Sequence, residues 1–228
     1  MAAVFGGPDI VTLDLQLALD AGSTRSYPGT GTSWFDLSGY DRHFTWSSSP
    51  SWNSAGYFNT VSNTATGPAS NSFGITNGTG YSIITVYQTT TTGGNAIFKF
   101  FDTGGGRGIF SHPGWTNDTI YFDQGGCCAD SQRITYGNSN VSDSGVYNFV
   151  CYRSTVSTRS IFYNGSKVTD TNVTAATITL GTTGVQINPT DEGYNWTGRI
   201  AQFYVYNRGL SDAEVQQNYI AFKNRYGV

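Results

Sequence analysis

The sequence predicts an all-β domain of the sandwich or barrel kind, closed by one short C-terminal helix. From Tyr81 onward, short runs rich in β-branched and aromatic residues recur at roughly eight-to-twelve-residue spacing, which is typical of these folds and not of βαβ units. Asn164-Gly165 predicts a tight hairpin, because both residues tolerate the positive φ that a type I′ turn requires. The chain then ends in a predicted strand followed by a helix with start and stop signals at both ends.

This closing segment is the best specified part of the chain. Gly198–Tyr206 is rich in β-branched and aromatic residues and predicts a strand that packs on both faces. Ser211 and Glu214 have the spacing of a capping box, and Gly227 can end the helix in the left-handed conformation. The predicted helix presents one apolar stripe, formed by Val215, Tyr219, Phe222 and Tyr226.

The other strands follow from alternation and from short apolar runs. In residues 13–20, leucines alternate with mostly polar residues, which predicts a half-buried first strand. The glycine- and proline-containing residues 1–12 show no period and predict an N-terminal arm, which leaves residues 13–228 as one domain. Further strands are predicted at Ser82–Gln88, Ala96–Phe101, Thr119–Asp123, Val146–Tyr152, Arg159–Tyr163, Thr177–Gly181 and Val185–Asn188.

Composition argues against several classes of partner. The 228 residues carry a net charge of −3 and only 12% charged side chains, which disfavours binding to a nucleic-acid backbone. No apolar run reaches the roughly eighteen residues of a membrane span, so no membrane partner is expected. The N-terminus lacks the pattern of a secretory signal, so we expect synthesis in a cytosol.

Three cysteines cannot all pair within one chain. Cys127 and Cys128 are adjacent, and neighbouring cysteines seldom bond to each other. Cys151 lies in an apolar run, where a buried thiol behaves as a small hydrophobic side chain. We therefore predict three reduced thiols in the core or in tight loops.

Four segments carry a resemblance to a known superfamily. They are LALDAGSTRSYPGTGTSWFDLSG (17–39), GRGIFSHPGWTNDTIYFDQGGCCADSQRI (106–134), SIFYNGSKV (160–168) and the closing strand and helix. Together they resemble the concanavalin A-like lectin/glucanase superfamily, in particular the laminin-G-like modules of tailed-phage virion proteins and of some bacterial surface proteins. The resemblance implies a concanavalin A-like jelly-roll β-sandwich of two antiparallel sheets with one short C-terminal helix.

The same resemblance implies a phage virion structural protein, either a capsid decoration, a fibre or a tail-associated module. Such a protein is expected in the virion after assembly in the host cytoplasm, in multiple copies or as a homo-oligomer. It would contact capsid or tail proteins and bind glycans through its lectin-like domain. A bacterial carbohydrate-binding module or adhesin is the alternative, and a glycoside hydrolase is a third, weaker one.

Hydrolysis is disfavoured by the distribution of carboxylates. Most glycosidases need a pair of them flanking the scissile bond. The chain has only two glutamates, Glu192 in a predicted loop and Glu214 in the helix cap, and it lacks the Glu-x-Asp-x-x-Glu run of the superfamily's glucanases. We therefore expect no enzymatic activity.

One hairpin carries the candidate ligand site, in which an indole can stack on a sugar while polar groups bind its hydroxyls. Its candidate residues are His112, Trp115, Asn117, Asp118, Asp123 and Arg133. In the alternative interpretation, Trp115 and Tyr121 pack inside the sandwich while Asp123 pairs with Arg133 to fix the hairpin.

No cofactor is predicted for this chain. Calcium has one weak candidate, Asp191-Glu192-Gly193, and no EF-hand pattern supports it. The glycine-rich stretch 104–108 lacks the features of a phosphate loop and predicts a flexible hairpin tip.

Overall fold

The computed structural model describes residues 8–60, 63–90, 96–137, 141, 145–171, 174–190, 193 and 196–228. These residues contain strands, one short 3₁₀ helix (Ser70–Phe73) and one α-helix. In chain order the elements are β1 (Leu15–Asp20), β2 (Ser33–Trp34), β3 (Phe44–Trp46), β4 (Ser51–Asn53), β5 (Tyr57–Thr60), β6 (Ala65–Ala69), β7 (Tyr81–Thr89), β8 (Phe98–Phe101), β9 (Arg107–His112), β10 (Thr119–Gln124), β11 (Arg133–Gly137), β12 (Asn148–Ser154), β13 (Arg159–Tyr163), β14 (Ser166–Thr171), β15 (Gly184–Ile187), β16 (Gly198–Tyr206) and α1 (Asp212–Tyr226).

The strands form two antiparallel sheets, as predicted. Sheet 1 has the order β14-β13-β12-β7-β16-β5-β4, with β1 also paired to β16. Sheet 2 has the order β11-β10-β9-β8-β15-β6-β3-β2. The predicted Asn164-Gly165 hairpin joins β13 to β14, and its two residues have φ of 46° and 80°, as a type I′ turn requires.

Two hydrophobic cores hold these layers together. The larger core lies between the sheets and includes Trp34, Phe58, Tyr87, Phe98, Phe122, Tyr152 and Phe203. The second core lies between the outer face of sheet 1 and α1, and it includes Ile84, Val86, Phe149, Cys151, Phe162, Tyr204, Val215, Phe222 and Tyr226. Sheet 1 is therefore buried on both faces, because alternate residues of each strand enter different cores.

The helix has the predicted termini. The Ser211 hydroxyl accepts a hydrogen bond from the Glu214 backbone N–H, and the Glu214 carboxylate accepts one from the Ser211 N–H at 2.8 Å. Gly227 ends the helix with a φ of 67°. The 15-residue α1, the α-helix that the structure describes, is not long and apolar enough to cross a membrane.

The predicted half-buried first strand is wrong in two respects. The strand begins at Leu15, because Asp14 has a φ of 61° and Leu13 is 66% exposed. All six residues of β1 are buried, since one face enters the core between the sheets while Leu15 and Ala18 enter the core under α1.

The predicted strand Thr177–Gly181 is also wrong, apart from an isolated bridge between Leu180 and Asp102. Backbone hydrogen bonds join Thr179 to Thr103 and Gly181 to Phe101, while Ile178 pairs with a side chain. The Ile178 N–H donates to the Asn77 carboxamide oxygen at 2.8 Å, and the Asn77 amide donates back to the Ile178 carbonyl. The other predicted strands agree with the observed ones within a few residues, and Arg159–Tyr163 and Gly198–Tyr206 agree at both ends.

Residues 8–12 of the predicted arm are bound to the domain. Val11 is buried, its N–H donates to the Asn218 side chain at 2.8 Å, and its carbonyl accepts from the Tyr206 hydroxyl at 2.8 Å. Gln217 donates to the Asp9 carbonyl at 2.7 Å. Residues 1–7 of the predicted arm lie outside the described residues.

Candidate functional site

The candidate site lies on the outer face of sheet 2, where β9, β10 and β11 run side by side. On β10, Ile120 and Phe122 enter the core between the sheets, so Tyr121 and Asp123 point to the opposite face. The strand register places His112 opposite Tyr121 and Arg133 opposite Asp123. Three strands therefore bring these side chains together across a face that the inter-sheet core does not use.

A β-bulge adds Arg107 to this face. Phe101 of β8 pairs with Arg107 of β9 and Phe100 pairs with Ile109, so Gly108 is the extra residue on β9. Because Ile109 enters the core, simple alternation would also turn Arg107 inward, and the extra residue reverses its direction. A Cβ on Gly108 would lie 2.6 Å from Leu180 Cδ2 and 3.0 Å from the Phe100 carbonyl oxygen, which explains the glycine.

Asp123 holds two guanidinium groups in fixed orientations. Its carboxylate is fully buried, accepts from Arg133 Nε and Nη2 at 2.6 Å each, and lies 3.1 Å from Arg107 Nη1. The hydrogen bonds to Asp123 raise the pKa of the Arg133 guanidinium. Bidentate pairing fixes the orientation of the Arg133 guanidinium, and the contact from Nη1 holds Arg107 beside the same carboxylate.

Aromatic rings surround the two guanidinium groups. The His112 ring lies 4.5 Å from the Trp115 ring, and the Trp115 ring lies 6.1 Å from the Tyr121 ring. Arg133 Cζ sits 4.6 Å above the Tyr121 ring, within the range of cation–π contact. A turn positions Trp115, since its N–H donates to the Thr119 carbonyl and its carbonyl accepts from the Asp118 N–H, both at 2.9 Å.

These side chains surround an open cavity of about 270 Å³. It is lined by Arg107, His112, Trp115, Tyr121, Cys127, Cys128 and Arg133. The volume lies just below the roughly 300–1,000 Å³ of sites for drug-sized ligands. The cavity therefore suits one ring of sugar size and not an extended chain.

The structure separates the six predicted site residues into two groups. His112, Trp115 and Arg133 line the cavity, whereas the other three do not. Asp123 lies beneath the guanidinium groups, so its predicted role in ligand contact becomes one of orienting Arg107 and Arg133. Asn117 is exposed, with its amide 3.4 Å from the Tyr121 hydroxyl, and Asp118 occupies the turn with a φ of 57°.

The alternative interpretation is half right. Asp123 and Arg133 do pair across the hairpin, but Trp115 and Tyr121 belong to neither hydrophobic core. Sequence reasoning missed Arg107, Tyr121, Cys127 and Cys128 as cavity-lining residues. Gly108 was the available signal for Arg107, because an isolated glycine within a strand often marks a bulge.

The remaining candidates from the sequence are a metal site and the two glutamates. No group of three or more His, Cys, Asp or Glu side chains is placed there to hold a metal ion. Asp191 and Glu192 of the calcium candidate lie outside the described residues. Glu214 is engaged by Arg208 and by the helix cap, and these hydrogen bonds lower the pKa of its carboxyl to about 2.

No protein-family model matches the sequence, and no curated protein matches it. Among solved structures, Trypanosoma rangeli sialidase has a TM-score of 0.70 and 13% identity, covering 95% of this chain and 34% of that chain. The binding domain of botulinum neurotoxin DC, solved with rat synaptotagmin II, has a TM-score of 0.70 and 14% identity, covering 92% of this chain and 52% of that chain. A structure of botulinum neurotoxin type C has a TM-score of 0.71 at 14% identity, with the same coverage of 92% and 52%.

This chain therefore spans only about a third of the sialidase chain, of which it covers 34%, and about half of the toxin chains, of which it covers 52%. At these identities the similarity shows the fold alone. The chain has a lectin-like β-sandwich fold.

Proposed function

We propose that this chain is a non-enzymatic glycan-binding domain of a phage virion structural protein, and that the cavity on sheet 2 receives one sugar ring. The observation that carries the proposal is the pairing of a half-buried indole, Trp115, with two guanidinium groups that Asp123 orients toward the same cavity. An aromatic face packs against the C–H face of a sugar, while guanidinium N–H groups donate to its oxygen atoms.

The chemistry of the lining favours a sugar that carries a carboxylate. A guanidinium presents its donors in a planar fork that matches carboxylate geometry, and Arg107 and Arg133 both reach the cavity wall. Two of the structural neighbours are consistent with this class. One is a sialidase, solved with 2,3-difluorosialic acid, and the other is botulinum neurotoxin type C, whose cell entry depends on interaction with two ganglioside molecules.

The proposed place in a virion rests on the resemblance of four segments to phage laminin-G-like modules. The weakly charged surface, with 12% charged residues, agrees with a component of a particle. Many copies on one particle would convert weak single-site affinity into useful avidity, by roughly 10²–10⁴-fold. The domain would then act as an adhesin on a multivalent support.

A glycan array tests the binding proposal, with the purified chain presented as a multimer on beads. We expect stronger binding to sialylated glycans than to the same glycans without the acidic sugar. Trp115→Ala should reduce the affinity for the sialylated glycans at least tenfold. The matched control is Tyr40→Ala, which removes a 55% exposed aromatic ring that does not line the cavity. Equal binding by wild type and Trp115→Ala would exclude this cavity as the site.

We also expect bound glycans to be recovered intact, as measured by mass spectrometry, because the domain is proposed to be non-enzymatic.

We further propose that the N-terminal arm docks the domain to the particle, and deletion of residues 1–7 tests this role. This deletion leaves the Val11 and Asp9 contacts to α1 in place, so the midpoint of thermal unfolding should not change. We expect the truncated chain to be lost from purified particles, as measured by mass spectrometry. Undiminished incorporation would contradict docking through these residues, and absence of the wild-type chain from particles would favour the free-standing module instead.

A further inference from the structure

We propose that Cys127 and Cys128 form a reversible disulfide with each other, in the wall of the sheet 2 cavity. The structure describes both as free thiols, together with Cys151. The proposed modification site does not depend on the identity of the cavity's ligand. Only the effect of the disulfide on binding rests on the proposed glycan-binding function.

The two thiols face each other although they are neighbours in sequence. Their Sγ atoms lie 2.6 Å apart, and a disulfide bond of about 2.05 Å needs only a small further approach. Cys128 has a φ of 80°, a conformation that few residues other than glycine adopt. Adjacent Cα atoms are about 3.8 Å apart, shorter than in common disulfides, so an unusual backbone of this kind is what a bond between neighbours requires.

The loop that carries the cysteines is built around this turn. Gly125 and Gly126 precede it with φ of 64° and 123°, and their N–H groups donate to the Gly108 and Arg107 carbonyls at 2.8 and 2.9 Å. A Cβ on Gly125 would lie 2.6 Å from the Thr177 carbonyl oxygen, so the close approach requires glycine. The bulge that turns Arg107 outward therefore also anchors the start of the cysteine loop.

The far side of the loop is fixed as well. The buried Arg159 donates through Nη2 to the Asp130 carbonyl at 2.7 Å, and Gln132 donates to the Gly125 carbonyl at 3.1 Å. The Arg133 and Gln132 N–H groups both donate to the Ala129 carbonyl at 2.8 Å. Ring closure at the cysteines can then proceed while both ends of the loop stay in place.

Accessibility sets the order of reaction among the three thiols. Cys128 is exposed, Cys127 is half-buried, and Cys151 is fully buried in the core under α1. A hydrogen bond with Cys128 raises the pKa of the Cys127 thiol. Burial raises the pKa of the Cys151 thiol to about 12. Cys128 therefore reacts first because it is the exposed thiol, and Cys151 stays inert because it is buried and the thiolate is the reactive form.

The oxidant required is a small-molecule disulfide. The Cys128 thiolate attacks one sulfur of oxidised glutathione, which forms a mixed disulfide and releases one glutathione thiolate. The Cys127 thiolate then attacks the Cys128 sulfur, breaks the mixed disulfide and releases the second glutathione. Two protein thiols are oxidised, one glutathione disulfide is reduced to two thiols, and the two protons end on the glutathione molecules.

Peptide mapping after incubation with oxidised glutathione tests this site. In the wild type we expect one peptide containing Cys127 and Cys128, lighter by two hydrogen atoms and without attached glutathione. Cys127→Ser should instead keep glutathione on Cys128, and Cys151 should remain unmodified in both proteins. A stable glutathione adduct on wild-type Cys128, or a disulfide-linked dimer, would overturn the proposal.

Oxidation should also change the cavity, because both cysteines line it beside Arg107 and Trp115. A disulfide replaces two mobile thiols by a rigid apolar edge, and preorganisation of a site favours binding. If the proposed glycan-binding function holds, the oxidised protein should bind its glycan about fivefold more tightly than the reduced protein, and a Cys127→Ser/Cys128→Ser variant should not respond. Formation of the disulfide with unchanged affinity would overturn this coupling, whereas absence of binding in both states would overturn the glycan proposal alone.

Discussion

The outer faces of the two sheets differ in chemistry although both are presented by antiparallel strands of the same sandwich. Sheet 1 presents apolar side chains such as Ile84, Phe149 and Tyr204, and α1 covers them. Sheet 2 presents Arg107, Arg133 and other polar or aromatic residues around an open cavity. The first face closes the fold, and the second carries the groups that could recognise a ligand.

The two outer faces differ in what they contribute, because one stabilises the fold and the other carries the candidate ligand site. The sheet 1 face gains free energy from burial of apolar area, which tolerates variation in detail. The sheet 2 face buries the Asp123 charge, which is costly unless its partners are kept in place. A buried charge cluster beside a cavity is therefore better explained by recognition than by folding.

The largest expected effect is on the sheet 1 face. Phe222 is buried, stacks on Tyr204 with a centroid distance of 5.2 Å and contacts Phe149. Phe222→Ala should lower the free energy of unfolding by about 3–5 kcal/mol, because it removes a buried ring and leaves a cavity. Urea denaturation of the purified variant measures this change.

Ile220→Ala is the matched control on the same helix, since Ile220 is 39% exposed. It should change the free energy of unfolding by less than about 0.5 kcal/mol. A loss for Phe222→Ala no larger than that of this control would show that α1 does not hold the second core.

The next effect concerns the buried charge on sheet 2. Asp123→Asn keeps the shape of the side chain but removes the negative charge that Arg107 and Arg133 share. Because it leaves two partly buried guanidinium groups without their counter-ion, we expect a loss of about 3 kcal/mol in urea denaturation. Glycan affinity should fall together with stability, since the two donors lose their orientation.

Asp170→Asn provides the comparison, because Asp170 is 43% exposed and pairs with Lys167 on the surface. Solvent screens such an exposed pair, so its loss should affect stability far less than the loss of the buried Asp123 charge. Equal losses for the two variants would contradict the assignment of Asp123 as the orienting group of the cavity.

A feature of this fold or site could be predicted from the sequence when the residues that determine it are close together in the chain. The ends of α1 were predictable because Ser211, Glu214 and Gly227 act within one turn of the helix. The direction of Arg107 was not, since it depends on a bulge whose position is set by pairing with β8. The pair of Asp123 with Arg133 was predicted by the alternative interpretation, whereas the contact of Asp123 with Arg107 was not, because it depends on the same bulge.

A smaller effect is expected from a substitution at the β-bulge of β9. In Gly108→Ala the new Cβ would lie 3.0 Å from the Phe100 carbonyl oxygen and 3.2 Å from the Asp102 backbone nitrogen, so we expect β9 to shift away from β8, at a cost of about 1–2 kcal/mol. We expect weaker glycan binding in this variant, because the shift moves Arg107 relative to Asp123. Isothermal titration calorimetry measures the affinity and urea denaturation the stability.

Gly137→Ala is the control for this glycine, since its new Cβ would meet Thr119 Oγ1 at an ordinary 3.5 Å. Both its affinity and its stability should stay close to those of the wild type. If Gly108→Ala behaves in the same way, the bulge does not determine the orientation of Arg107.

The smallest expected effect returns to the sheet 1 side, at the helix cap. Hydrogen bonds from Arg208 and Ser211 lower the pKa of the Glu214 carboxyl to about 2, from an ordinary 4.5. Because the folded pKa is the lower one, this carboxylate stabilises the fold fully above about pH 4.5, and the stabilisation disappears as the pH falls toward about pH 2. Its side chain is 28% exposed, so solvent screening limits the contribution to about 1 kcal/mol.

Glu214→Gln should therefore lower the free energy of unfolding by about 1 kcal/mol at neutral pH and by progressively less below about pH 4.5. Urea denaturation at a series of pH values measures the difference between the variant and the wild type. Added salt at neutral pH should narrow that difference, because it screens the pair with Arg208. A constant difference from neutral to acidic pH would mean that the cap acts through hydrogen bonds alone, so that the charge of Glu214 contributes nothing to the stability of the sheet 1 side.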